Sequence, residues 1–177
     1  MITVDEPKAN DLELHFDEAC IQLIAQHQPA AKSLRTILMV NNISVNLERM
    51  ADHVVSISEG ALYLIERPPV KPLIDTPNMA GIVVGMIRDA ITAFINEDDQ
   101  LAAEILKRDE LVDGLRTQII RELITIMISE PSTIERSLQL MKIASNLERI
   151  ADLCTNIGED VIYMVTGRVV KHSKQSV

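Results

Sequence analysis

The sequence predicts an all-α protein built as tandem antiparallel helix bundles, the first bundle incomplete. Three observations predict this. Apolar residues recur at spacings of three and four along almost the whole chain, as amphipathic helices require. No stretch alternates like a strand, and no Gly-rich phosphate loop occurs. A twenty-residue pattern also appears twice, as NLERMADHVVSISEGALYLI over 46–65 and NLERIADLCTNIGEDVIYMV over 146–165, with nine identities one hundred positions apart.

The first helix is carried by Leu12, Phe16, Cys20, Leu23 and Ile24, and the segment HQP at 27–29 breaks it. Pro29 is placed to open the next helix, where its fixed φ costs nothing. That helix keeps its period through Leu34, Leu38, Ile43, Leu47, Met50, Ile57 and Leu64. RPPVKPLIDTP at 67–77 then holds four prolines in eleven residues, which no helix interior tolerates. A third helix is expected over 79–95. The segment NEDDQ supplies a break and an Asp N-cap for a fourth helix, which ends near Ser129. Pro131 marks the next start, and Ser132-x-x-Glu135 reads as a capping box. The last helix carries Ile134, Leu138, Met141, Leu147, Ile150, Cys154, Ile157 and Val161, and Gly167 stops it. The expected division is a first repeat over 1–66, a Pro-rich linker over 67–77 and a second repeat over 78–177. The second repeat has three helices and can close a core, whereas the first has two.

Composition narrows the function. A formal charge of −9 repels a phosphate backbone or an anionic lipid surface. Four aromatic residues (Phe16, Phe94, Tyr63, Tyr163) leave few platforms for stacking bases, so no nucleic-acid partner is expected. Cys20 and Cys154 sit in apolar helical patterns with no CxxC, as buried reduced thiols of a cytoplasmic protein do. The start of the chain lacks a basic segment followed by an apolar core, so no leader peptide is read there. The stretches AGIVVGMI and ITIMI are too short to cross a bilayer, and no direct membrane insertion is expected. The His residues read as surface groups, His53 as a capping or solvent one. Met39, Met50, Met141 and Met164 read as core filler.

The acids carry the chemistry. Glu148, Asp152 and Glu159 fall on one narrow helical stripe, and Glu48, Asp52 and Glu59 repeat it. Like charges at i, i+4 repel by about a few tenths of a kcal/mol, so something should offset them. Antiparallel pairing about the Pro131 turn puts Asp109 level with Asp152 and Asp113 level with Glu148. About Pro29, the same construction sets Glu6 against Asp52 and Asn10 against Glu48. Convergent carboxylates without a thiol or clear imidazole suit a hard cation: Mg²⁺, Mn²⁺, Ca²⁺ or iron. The bland alternative is a solvated face on which Arg49 pairs with Asp52 and Arg149 with Asp152, weakly. Duplication across two hairpins favours metal.

The segments NLERMADH, NLERIADLCTNIGEDVIYMVTG, DELVDGLRTQIIRELI and QPAAKSLR resemble the PhoU family of phosphate-transport accessory proteins, over nearly the whole chain from Asp11 to Arg168. That resemblance implies two three-helix bundles, a homodimer, and surface metal clusters of iron, manganese, magnesium or zinc on acidic motifs. By position the ligands would be Asp109, Asp113, Glu148 and Asp152, with Glu6, Glu48 and Asp52 in the first copy. It also implies a non-enzymatic negative regulator of phosphate uptake and phosphate-starvation signalling. Such a regulator acts between the phosphate ABC transporter ATPase and a membrane sensor histidine kinase. The chain departs from the family in lacking its first helix, in Asn10 for an Asp, and in Pro7. Two rival readings are a carboxylate-bridged metalloenzyme and a bare helical scaffold. The missing helix leaves an apolar groove to be filled by the second bundle, by another copy or by a partner helix, self-association being favoured.

Overall fold

The computed structural model describes residues 6–170, the side chain of Glu6 lying outside what is described. Five helices follow one another: α1 (Glu6–His27), α2 (Ala31–Ile65), α3 (Asp75–Asn96), α4 (Asp99–Ser129) and α5 (Ile134–Thr166). A single 3₁₀ turn over Pro131–Thr133 precedes α5. The expected breaks are the observed ones, except that α2 opens at Ala31 with Ala30 as its N-cap, and Pro29 precedes the cap. Asp98 caps α4, its carboxylate accepting from the Gln100 and Leu101 amides at 3.0 and 2.9 Å. Gly167 ends α5 at φ +70, where an L side chain would strain the backbone, and its N–H donates to the Tyr163 carbonyl.

Two local readings are corrected. The helix α3 begins at Asp75, inside the segment read as linker, because Pro77 sits in its first turn, where no amide is needed. No capping box forms at α5. Ser132 Oγ donates instead to Glu130 Oε1, and Glu135 Oε2 accepts from the Tyr63 hydroxyl at 3.0 Å.

The helices α3, α4 and α5 pack on one another as a closed antiparallel bundle. Met79, Val83, Met86, Ala90 and Ala93 of α3 face Ala102, Ile105, Val112, Ile119 and Leu123 of α4 and the inner stripe of α5, all of them buried. By length and composition α3 is apolar enough to cross a membrane, because the run extends past AGIVVGMI through the alanines and Ile95. In this structure one side of that apolarity supplies the core.

The two repeats meet where α2 crosses α5 antiparallel. His53 lies opposite Asn146, Gly60 against Ile143 and Gln139, and Tyr63 opposite Glu135. This register centres the crossing on the equivalent pair Met50 and Ile150, both buried. The linker is fastened too. Lys71 Nζ is nearly enclosed and holds the carboxylates of Asp75, at 3.2 Å, and Glu122. Among the described helices α1 packs on α2 alone, so the first repeat remains a two-helix hairpin.

Candidate functional site

The α4–α5 hairpin fixes the acids of the second repeat. The helices approach so closely at Gly158 that a Cβ there would stand 3.1 Å from the Ala102 carbonyl oxygen. Residue 102 opposite 158 is within one position of the mirror read about Pro131. Asp109 therefore lies at the level of Asp152, and Asp113 at the level of Glu148. In the first hairpin Cys20 Sγ lies 3.6 Å from the Ile37 carbonyl, again within one position of the expected mirror. Asn10 then stands at the level of Glu48, and the backbone of Glu6, the first residue of α1, at the level of Asp52.

Burial separates the acids. Asp109 is 7% exposed at the α4–α5 interface, Glu148 and Glu48 are half-buried, and Asp113, Asp152 and Asp52 are exposed. Burial first, and then the charge of Asp109, push the Cys154 thiol up to about 12, so Asp109 bears on the interior side of its helix. Among the described residues, no three His, Cys, Asp or Glu side chains come together as a metal-holding group. The hairpin register sets Asp109 beside Asp152 and Asp113 beside Glu148 in level along the two helices. Asp109 is buried, Glu148 is half-buried, and Asp113 and Asp152 are exposed. The contribution of Glu6 lies outside the described side chains.

Two open clefts flank these acids. One of about 870 Å³ runs beside α4 and is lined by Asp75, Asp113, Thr117, Arg121 and Glu122. The other, about 470 Å³, lies on the α2–α5 seam between Asp52, His53, Ser56, Lys142, Asn146 and Arg149. His53, read from sequence as a cap or a solvent group, is neither. Its Nδ1 donates to Asn146 Oδ1 at 3.0 Å, while Asn146 Nδ2 donates to the Lys142 carbonyl at 2.9 Å. That amide orientation makes Nδ1 the protonated nitrogen. Asn146 belongs to the repeated pattern, so its duplication was the one sequence signal for this bridge. His53 has Leu153 as its counterpart and gave none. Lys71 was missed as well, since a lysine among prolines carries no pattern.

Comparison with known proteins places this geometry. The family model for the PhoU domain matches the chain twice, over residues 1–61 and 76–161. A phosphate-specific transport system accessory protein PhoU homolog from Aquifex aeolicus is 40% identical over 161 residues, covering 91% of this chain and 73% of the relative. A homolog 2 of the same description from Thermotoga maritima is 32% identical over 170 residues, covering 96% and 72%. The crystal structure of PhoU from Pseudomonas aeruginosa superposes with a TM-score of 0.89 at 32% identity, over 92% of this chain and 78% of that one. The phosphate transport system regulatory protein PhoU from Streptococcus pneumoniae superposes at 0.86 with 27% identity, over 93% and 77%.

Proposed function

The chain belongs to the PhoU family, and we propose that it acts as a cytoplasmic regulatory adaptor of phosphate homeostasis. In this reading it lowers phosphate uptake and quiets phosphate-starvation signalling by contacting the phosphate ABC transporter ATPase and a sensor histidine kinase. One observation carries the reading. Relatives named as accessory proteins of phosphate-specific transport align across nine-tenths of the chain, and both halves match the same domain. The test is affinity capture from the host at high and low phosphate. Recovery of the ATPase or the kinase with a phosphate-dependent yield is expected, and recovery of neither under both conditions overturns the proposal.

The acidic pairs belong to this reading as a regulatory or structural cation site. Asp109, Asp113, Glu148 and Asp152 would hold a divalent or ferric ion through oxygen alone, with Glu48, Asp52 and Glu6 as the weaker copy. A bound ion would neutralise carboxylates that otherwise repel along each helix. Binding to the folded chain alone raises stability by about 1.4 kcal/mol per tenfold of ion above its dissociation constant. Melting temperature is therefore expected to climb with Mg²⁺, Mn²⁺, iron or Zn²⁺. No response to any of them, or an equal response in Glu148→Gln/Asp152→Asn, overturns this part.

A further inference from the structure

We propose that the cleft on the seam between α2 and α5 binds a free hydrogenphosphate ion. On α5 its wall is Lys142, Ser145, Asn146 and Arg149, spaced i, i+3, i+4 and i+7, so one helical face carries them all. That spacing ordinarily marks an apolar stripe, and here every position is polar. On α2 the facing wall is Asp52, His53 and Ser56. The hydrogen bond from His53 to Asn146 joins the two walls.

Two features set this cleft apart from a solvated polar face. The first is positive charge that no carboxylate answers. In a chain of net charge −9, Lys142 and Arg149 enter none of the ion pairs found among the described residues. The second is that the chemistry occurs in one copy only. The register that sets His53 opposite Asn146 also sets Leu153 opposite Asn46, so the crossing relates each residue to its repeat counterpart. Across it, Lys142 has Asn42 as its counterpart, Ser145 has Val45 and His53 has Leu153. A cation, a hydroxyl and an imidazole stand on one side, where the other side has an amide and two aliphatic groups.

The donors and acceptors of the cleft select the ligand. Lys142, Arg149 and the hydroxyls of Ser56 and Ser145 can all donate to the bare oxygens of a tetrahedral anion. Two groups do the reverse. With Nδ1 donating to Asn146, the other His53 nitrogen, Nε2, keeps a lone pair, and the Asp52 carboxylate only accepts. Hydrogenphosphate has one O–H to offer these acceptors. Sulfate and a phosphomonoester dianion have none, and a site that hydrogen-bonds a hydroxyl rejects the analogue lacking it. A carboxylate has two oxygens, so Asp52 can serve this anion and the cation of the first repeat together. The inference rests on the cleft alone and is independent of the regulatory role.

Titration of the metal-free full chain with sodium phosphate, at constant ionic strength and slightly alkaline pH, tests it by nitrogen–proton NMR. Saturable shifts are expected at the Asn146 side-chain amide and the Arg149 Nε–H. Sodium sulfate and glycerol phosphate should bind at least about tenfold more weakly. Lys142→Gln and Arg149→Gln should each weaken phosphate binding at least about fivefold, and both side chains are exposed, so the fold is kept. Arg49→Gln, the same charge change at the counterpart position, should leave binding intact. Asp52→Asn should narrow the preference for phosphate over sulfate. Shifts that never saturate, sulfate or glycerol phosphate binding as tightly as phosphate, or Arg49→Gln costing as much as Arg149→Gln overturns the proposal.

Discussion

Counted from the mirrored acids, Phe16 stands in α1 where Ile119 stands in α4, yet Phe16 is 42% exposed and Ile119 fully buried. The two hairpins share register, turn position and apolar spacing, and they differ in that, among the described residues, a third helix packs only on the second. Burial is therefore a property of the assembly around a hairpin, and an apolar stripe states only which side is available. The helix α3 turns one hairpin into a bundle with a core. Among the described residues the other hairpin is held to the rest of the molecule through α2, at its seam with α5.

Substitutions at paired positions should expose this difference, most strongly in the core. Ile119→Ala removes a side chain enclosed on all sides and is expected to cost about 2–5 kcal/mol. Phe16→Ala, though it deletes more atoms, should cost less than about 1.5 kcal/mol in monomeric protein, because half of its burial was never gained. Urea unfolding at micromolar concentration measures both, and equal losses would break the contrast.

Positions 58 and 158 come next. Gly158→Ala would bring its Cβ to 2.7 Å from Leu106 Cδ1 and 3.1 Å from a backbone oxygen, so one helix must shift, at about 1–3 kcal/mol. Its counterpart Ser58 already carries a hydroxyl, bonded to the Val54 carbonyl at 2.8 Å, and Ser58→Ala should stay within about 0.5 kcal/mol of the parent. A neutral Gly158→Ala would mean that the two hairpins are equally tight.

A pH-dependent test sharpens the comparison at the linker, where Lys71 fastens to the second repeat. Burial pulls the Lys71 ammonium down, but its hydrogen bonds to Glu122 and Asp75 outweigh that and hold it above the ordinary lysine value. A group raised in the folded state contributes fully below its unfolded value of about 10.4 and loses that contribution as pH climbs through the folded value. Lys71→Met should therefore be less stable than the parent at neutral pH, the gap narrowing above about pH 10. A gap that persists into strong alkali would assign the effect to packing.

The smallest effect concerns the cation. With Asn10 in place of an acid, Glu48→Gln/Asp52→Asn should remove less bound ion than Glu148→Gln/Asp152→Asn. Equal losses, measured by metal content after dialysis, would make the two copies functionally alike.

Local chemistry made much of the fold readable: the proline breaks, the Asp98 cap, the Gly167 stop and both hairpin registers. Each is set by a residue acting within a few positions of itself. The failures share the opposite character. The bond from His53 to Asn146 joins residues 93 positions apart, and Lys71 reaches Glu122 across 51. Neither leaves a periodic trace. The acids lie between these cases. Their levels follow from backbone register, while their exposure answers to packing, as the burial of Asp109 shows.

Because α1 touches α2 and nothing else among the described helices, it can detach while every other contact survives. The molecule should therefore open in tiers. In native-state hydrogen exchange on monomeric protein, the amides of α1 should report a low opening free energy of their own, and those of α3, α4 and α5 the global one. The amides of α2, which lies along α5 from Arg35 to Tyr63, should stay with the global value. A single polypeptide would then hold two thermodynamic clocks, the faster one set by the α1–α2 contact alone.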